Sequence, residues 1–257
     1  MLNRYKVIVA YDGTDYLGWQ EQAQGTTIAG ALQQSFRQVF KKDIKLLAAS
    51  RTDAGVHALG QVATFTTDLA LDVDRLLQAW SNKLPRAIHI RELEEVPLGF
   101  NPHHNIIEKT YQYVFSLKRQ LPFNARYIWY YRRPIDEQKL RESLEIFVGE
   151  HDFRSFCSSE YTGNTVRKIH AITLACDNDN YVITFKAPGF LRYMIRRIVG
   201  ACLHIASHKL LTINDLKTTL ANRNPEHTLE SAPARGLTLL AVQYKGAGRH
   251  DQVSTVG

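Results

Sequence analysis

The sequence predicts an α+β fold of two similar lobes, each a mainly antiparallel sheet with helices on one face, forming a central cleft. Three observations predict it. Period-two alternation opens each half, amphipathic segments of period near 3.6 follow, and a turn-rich stretch, Pro97-Leu98-Gly99-Phe100-Asn101-Pro102, lies between the halves. The expected division is therefore 1–104, 105–246 and a polar, glycine-containing tail at 247–257 that is expected to be disordered. The two halves share an order of elements but no repeat of residue identity.

In the first half Tyr5, Val7, Val9 and Tyr11 alternate onto one face of a strand, and Asp12-Gly13-Thr14-Asp15 forms a loop. Thr27 suits the N-cap of a helix whose apolar stripe is Ile28, Leu32, Phe36, Val39 and Phe40. A loop from Arg51 to Gly60 leads to a strand at 61–67. Asp72 caps a helix with Val73, Leu76, Leu77, Trp80 and Leu84 inward, and a strand follows near 87–93. In the second half Tyr111, Tyr113, Phe115 and Leu117 alternate. A helix after Asp136 turns Leu140, Leu144, Phe147 and Val148 inward, with Gly149 as its C-cap. Two runs at 168–175 and 181–186 read as a hairpin. A long helix spans 191–208, a short one 214–222, and a last strand 237–245.

The chain has 257 residues, with Lys and Arg exceeding Asp and Glu by 32 to 25 for a net charge of +7. That length suffices for two domains with cores of their own, and the positive field attracts polyanions, phosphate backbones above all. No run approaches the roughly 18 apolar residues of a membrane span, and the N-terminus has no apolar signal core, so a cytoplasmic protein is expected. Cys157, Cys176 and Cys202 are odd in number and widely spaced, which argues against a disulfide framework or a Cys-x-x-Cys metal site. His103-His104 lacks partners at metal-ligand spacing.

One segment carries chemistry: Arg51-Thr52-Asp53-Ala54-Gly55-Val56-His57-Ala58. Taken alone, Asp-Ala-Gly is a common turn triplet whose acid organises backbone. The alternative is a working carboxylate: an arginine close to it would keep it ionised, and Gly55 would let the backbone approach a substrate closely. Spacing alone does not show Arg51 facing Asp53.

The same eight residues resemble the catalytic signature of the TruA family of tRNA pseudouridine synthases. Five further segments resemble that family in order: Tyr11-Asp12-Gly13-Thr14-Asp15-Tyr16-Leu17-Gly18-Trp19-Gln20, Lys109-Thr110-Tyr111-Gln112-Tyr113, Gly149 to Phe156, Phe190 to Gly200, and Ala234-Arg235-Gly236-Leu237. The resemblance covers about residues 4 to 245 and implies the pseudouridine synthase fold. It implies an isomerase that converts uridine to pseudouridine at positions 38, 39 and 40 of the tRNA anticodon stem-loop, working as a homodimer without metal or organic cofactor. Asp53 would be the catalytic carboxylate, adding to C6 of the uracil or attacking C1′ of the ribose.

Tyr111 would pack on the target base, although its alternation with Tyr113 and Phe115 equally describes an ordinary sheet-face aromatic. Arg196 would pair with the aspartate. Its plain reading is a solvated helix arginine beside Arg192 and Arg197, with Arg192 and Arg196 as i,i+4 neighbours. Arg51 would help move the target nucleotide out of its stack. His57 would contact phosphate or cap the turn. Trp19 and Gln20 would shape the cleft or pack the lobe. The chain departs from the family pattern at Asn101-Pro102-His103, where His-Ala-Arg is usual, at Ser50 in place of glycine, and at Ile28-Ala29 in place of Val-Gln. A non-catalytic RNA-binding or tRNA-folding protein on the same scaffold is the competing reading, and it has no need of Asp53. An acid-base enzyme acting on small nucleotides is a third, disfavoured by the lack of a phosphate-cradling glycine loop.

Overall fold

The computed structural model describes residues 2–177, 179–225 and 230–245, so the tail expected at 247–257 lies outside the described residues. In chain order the elements are β1 (Asn3–Tyr11), α1 (Ile28–Phe40), β2 (Leu47–Ala48), β3 (His57–Thr67), α2 (Val73–Ser81), β4 (Ile88–Val96), β5 (Ile106–Ser116) and β6 (Trp129–Tyr130). There follow α3 (Glu137–Glu145), β7 (Gly149–Asp152), β8 (Val166–Ile169), β9 (Ala171–Asp177), β10 (Asn180–Ala187), α4 (Met194–Ser207), α5 (Ile213–Asn222) and β11 (Leu237–Tyr244). The chain divides into two compact units, Met1–Ile107 with Thr238–Gly257, and Glu108–Leu237.

The first unit is built on strands in the order β4-β1-β3-β11, with β2 added to β3. The β1–β3 and β1–β4 pairs are antiparallel, and β11 joins β3 in parallel through Thr238 opposite His57 and Leu239 opposite Ala58. Alternation in β1 buries Tyr5, Val7, Val9 and Tyr11, as predicted. Both helices cover the same face. Phe36 of α1 and Trp80 of α2 meet edge to face at 5.1 Å, and each also reaches Phe65 of β3, at 5.5 and 5.3 Å. The Trp80 indole donates to the Leu32 carbonyl at 3.1 Å, which satisfies its one polar atom inside the core. Both predicted caps form: the Thr27 hydroxyl accepts from Gly30 N–H at 3.2 Å, and the Asp72 carboxylate accepts from Asp74 N–H at 3.0 Å.

The second unit has β5-β10-β9, all antiparallel, with β6 parallel to β5, and a separate antiparallel pair β7–β8. Helices α3, α4 and α5 pack against one another. The α4 face buries Met194, Ile195, Ile198, Cys202 and Ile205, the predicted stripe less Leu191. The fold is thus mixed α+β with mostly antiparallel strands. No helix among the described residues is long and apolar enough to cross a membrane.

Four local expectations are corrected. Strand β3 begins at His57, so the polar loop ends four residues earlier than its composition suggests, because β11 supplies pairing partners there. Gly149 does not cap α3, which ends at Glu145 with Ile146 as C-cap; it opens β7 with φ +101°. Helix α4 begins at Met194 rather than Leu191, because Tyr193 sits in the left-handed region at φ +67° and breaks the helical path. Arg192 therefore precedes the helix and is not a helical i,i+4 neighbour of Arg196. Finally, the last strand, expected with the second lobe, belongs with the first unit, and the first boundary falls after Ile107 rather than at 104. Strand partners distant in sequence leave no local trace in composition.

Candidate active site

The Asp53 segment is shaped by backbone packing rather than by its own turn chemistry. Residues 50–56 form a loop between β2 and β3, closed by Val56 N–H donating to the Asp53 carbonyl at 3.1 Å, with Gly55 at φ +76°. A second loop, following β1, lies against it. Trp19 N–H donates to the Thr52 carbonyl at 3.1 Å, and Gly55 N–H donates to the Tyr16 carbonyl at 3.2 Å. Contact is so close that side chains are excluded. A Cβ on Gly18, itself at φ +90°, would stand 2.6 Å from the Thr52 carbonyl oxygen, and one on Gly13 would overlap the Val56 carbonyl. The two N-terminal motif segments are thus one object, and Gly13 and Gly18 are the residues that let them meet.

Side chains reinforce the clamp. The Tyr11 and Thr52 hydroxyls lie 2.7 Å apart, and the buried Gln61 amide donates to the Ser50 carbonyl at 2.7 Å. His57, only 3% exposed, receives Gly13 N–H at its Nδ1 at 3.1 Å, and the same nitrogen lies 3.2 Å from the Asp12 carboxylate. That position ties the N-terminal loop to β3 and leaves His57 little surface for a phosphate. Asp12 in turn accepts from Thr14 N–H at 3.0 Å. Within this frame Asp53 is half-buried and Arg51 is exposed. Burial raises the pKa of the Tyr16 phenol, with the charges of Asp15 and Asp12 adding to it. Trp19 is 1% exposed and packs on Tyr11 at 6.0 Å, a core residue, while Gln20 is exposed.

The second unit gathers Tyr111 and Arg196 by different means. Tyr111 lies on the buried face of β5, opposite Phe185 of β10, and meets the Phe190 ring edge to face at 5.4 Å. The turn that carries Phe190 is closed by Met194 N–H donating to the Leu191 carbonyl at 3.1 Å. Arg196, in the first turn of α4, donates from Nε to the Ala232 carbonyl at 2.7 Å, while Ala232 N–H donates back to the Arg196 carbonyl at 2.9 Å. Its guanidinium lies 5.7 Å from the Tyr193 ring, and that of Arg192 4.7 Å from the same ring. Arg197 is spent on structure, donating to the carbonyls of Cys157 and Pro225. The next carbonyl along from Ala232, that of Pro233, accepts the Tyr113 hydroxyl at 2.8 Å, and burial pushes the Tyr113 phenol well above its ordinary pKa.

Two residues were missed by the sequence argument. Phe190 orients Tyr111, a contact across strands and turns that no local pattern shows. Lys109 is 9% exposed and shares a strand face with Tyr111; burial first, then the charge of Arg167, lowers its pKa from 10.5 to about 8. Its phase with Tyr111 and Tyr113 was visible in the alternation, but a lysine there reads as an edge residue. Among the described residues, no three His, Cys, Asp or Glu side chains gather as a metal site, and His103-His104 is no exception.

Comparison with known proteins gives this geometry a family. The family model described as tRNA pseudouridine synthase matches residues 7–104 and 144–245. The chain is 37% identical over 251 residues to tRNA pseudouridine synthase A of Thermodesulfovibrio yellowstonii, covering 93% of this chain and 98% of that one. It is 36% identical to tRNA pseudouridine synthase A 1 of Protochlamydia amoebophila, over 94% of this chain and 96% of the other, and 34% identical to tRNA pseudouridine synthase A of Brevibacillus brevis, over 95% and 100%. The matched stretches fall in both units, and the chain belongs to the TruA family of tRNA pseudouridine synthases.

Proposed function

We propose that the chain isomerises uridine to pseudouridine in the anticodon stem-loop of tRNA, at positions 38, 39 and 40, with Asp53 as the catalytic carboxylate. The observation that carries this reading is the clamp around Asp53. The loop that bears it is held by two glycines and four backbone or hydroxyl contacts, in a chain matched to synthases over nearly its full length. A carboxylate pre-positioned in this way spends no substrate-binding energy on ordering its own loop.

In the reaction the N1–C1′ bond of uridine breaks, the uracil turns without leaving, and a C5–C1′ bond forms; C5 gives up its proton and N1 gains one. Asp53 enters by attack on C1′, giving a sugar ester that C5 later displaces, or by addition to C6, giving an adduct that is eliminated after the ring has turned. Both routes need an ionised carboxylate shielded from water, so that the detached base is not lost. Tyr111 serves as the surface on which the base packs, and its hydroxyl is suited to carry the C5 proton. Arg196 serves as the cationic partner of Asp53 while its Nε stays on the Ala232 carbonyl. Arg51, exposed beside Asp53, helps draw the target nucleotide from its stack. His57 acts by holding the loop. The protein works in the cytoplasm as a homodimer, one chain supplying the active site while the other grips the body of the tRNA.

The test is to incubate the protein with an unmodified tRNA transcript and map pseudouridine by carbodiimide modification. Product at positions 38 to 40 is expected. Product elsewhere would overturn the site assignment, and no product would overturn the reaction.

A further inference from the structure

We propose that the cavity bounded by β6, the start of the segment leading to α3, and residues 230–235 is a second RNA-binding site, which takes an unpaired nucleotide by stacking its base on Trp129 or Tyr130 and holding flanking phosphates on Arg132, Arg133 and Arg235. The inference rests on the reading that RNA is the substrate, and adds a binding site remote in sequence from the Asp53 loop.

The cavity measures about 480 Å³, within the range that accepts one nucleotide. Its aromatic wall is rigid. Trp129 is half-buried and braced edge to face against Tyr113 at 6.3 Å and Tyr131 at 5.0 Å, and Tyr130 beside it is also half-buried. Its cationic wall is open: Arg132, Arg133 and Arg235 are all exposed, and the Arg132 guanidinium lies 5.8 Å from the Tyr130 ring. Three guanidinium groups face one carboxylate in the lining, that of Glu230. His204, also in the wall, has its pKa lowered by burial first, and then by the positive charges of His208 and Arg133.

The third wall is fixed too. Gly200 of α4 leaves no room for a Cβ against the Glu230 carbonyl, and Ala232 and Pro233 are bonded to Arg196 and Tyr113. A rigid ring face beside several exposed guanidiniums is the combination that binds single-stranded nucleic acid without reading its sequence. Three exposed guanidiniums in one lining suit the several phosphates of a chain better than the single phosphate of a mononucleotide. Glu230 and Ser231 supply oxygen acceptors on the same rim, which a ribose 2′-hydroxyl can satisfy and a deoxyribose cannot.

The test is equilibrium binding of a tRNA transcript at several potassium chloride concentrations. For the double variant Arg132→Ala/Arg133→Ala, affinity near 0.1 M salt should fall about ten-fold, and the slope of log affinity against log salt should flatten by about 1.5, the release expected from two lost phosphate contacts. Tyr130→Ala should weaken binding several-fold with the slope unchanged, and Tyr130→Phe should restore it. At saturating tRNA the turnover of these variants should match wild type, so the loss appears in KM. A matched removal of charge in the first unit, Arg75→Ala/Lys83→Ala, should leave affinity within about two-fold, since both side chains are exposed and neither lines this cavity.

Unchanged affinity and slope in the arginine variant would overturn the inference, as would an equal loss in the matched control. It is equally overturned if UMP or an acidic peptide, but not tRNA, binds in a way that depends on these arginines. Pseudouridine formation by the same wild-type preparation is measured in parallel. If product forms and the binding prediction fails, this inference falls alone; if no product forms, the binding data still decide it.

Discussion

The segments that carry Asp53 and Arg196 are both held firmly, but by opposite means. Around Asp53 the restraint is an absence of side chains: Gly13 and Gly18 let two loops approach until backbone meets backbone. Around Arg196 the restraint is the side chain itself, tied through Nε to Ala232 while the main chain of Ala232 is tied back to residue 196. The first device fixes where a loop runs. The second fixes where one guanidinium stem starts. Under the proposed function the first device would place a nucleophile, which needs a fraction of an ångström, and the second a cationic partner, which acts over several.

The comparison is broken most severely by adding a methyl group to the clamp. Gly18→Ala places a Cβ against the Thr52 carbonyl in a backbone conformation that favours glycine, so a loss of about 3 kcal/mol or more is expected by urea denaturation. Next comes the charge buried beside Tyr111. The folded-state pKa of Lys109 is lowered to about 8, so below that pH the folded chain carries an ammonium that burial penalises. Between about pH 8 and 10.5 the unfolded chain binds a proton that the folded chain has lost, so stability contributed by this group rises with pH across that window. Lys109→Met should therefore raise stability at pH 7 by about 1–3 kcal/mol, and the gain should shrink to nothing by about pH 10.5 in denaturation series run at each pH.

Smaller effects sharpen the same contrast. Tyr11→Phe removes the hydroxyl that meets Thr52 and should cost about 1 kcal/mol, with a larger proportional loss of activity because the Asp53 loop loosens. Arg192→Ala should change stability by less than about 0.5 kcal/mol, since its side chain is exposed and its contact with Glu160 at 3.7 Å is a surface pair. If Arg192→Ala matched the loss of the Tyr11 variant, the division between clamped and solvated residues around these segments would be wrong.

Much of the fold was legible in the sequence wherever one element's own periodicity decided it. Alternation located β1 and β5, the caps Thr27 and Asp72 located α1 and α2, and the apolar stripe after Asp136 located α3. What was not legible depended on distant partners. The two-residue strands β2 and β6 are too short to show a period, and the last strand, expected at 237–245, carried no sign that β3 would be its partner. Tyr193 in the left-handed region cut short a helical stripe that composition alone would extend to Leu191. At the candidate site, the loop that bears Asp53 was legible through its motif. The reason for Gly13 and Gly18 was not, because it lies in another loop's carbonyls. Phe190 opened a motif segment, but its contact with Tyr111 escaped for the same reason, since it is made across the second unit.

The central claim is that the clamp exists to present Asp53. Its most direct test is single-turnover conversion of a tRNA transcript by Asp53→Asn beside wild type, with tRNA affinity and urea stability measured on the same samples. The account predicts pseudouridine formation lowered by at least about 10⁴-fold, with affinity and stability within about two-fold and 1 kcal/mol of wild type. Equal product from the variant would contradict it.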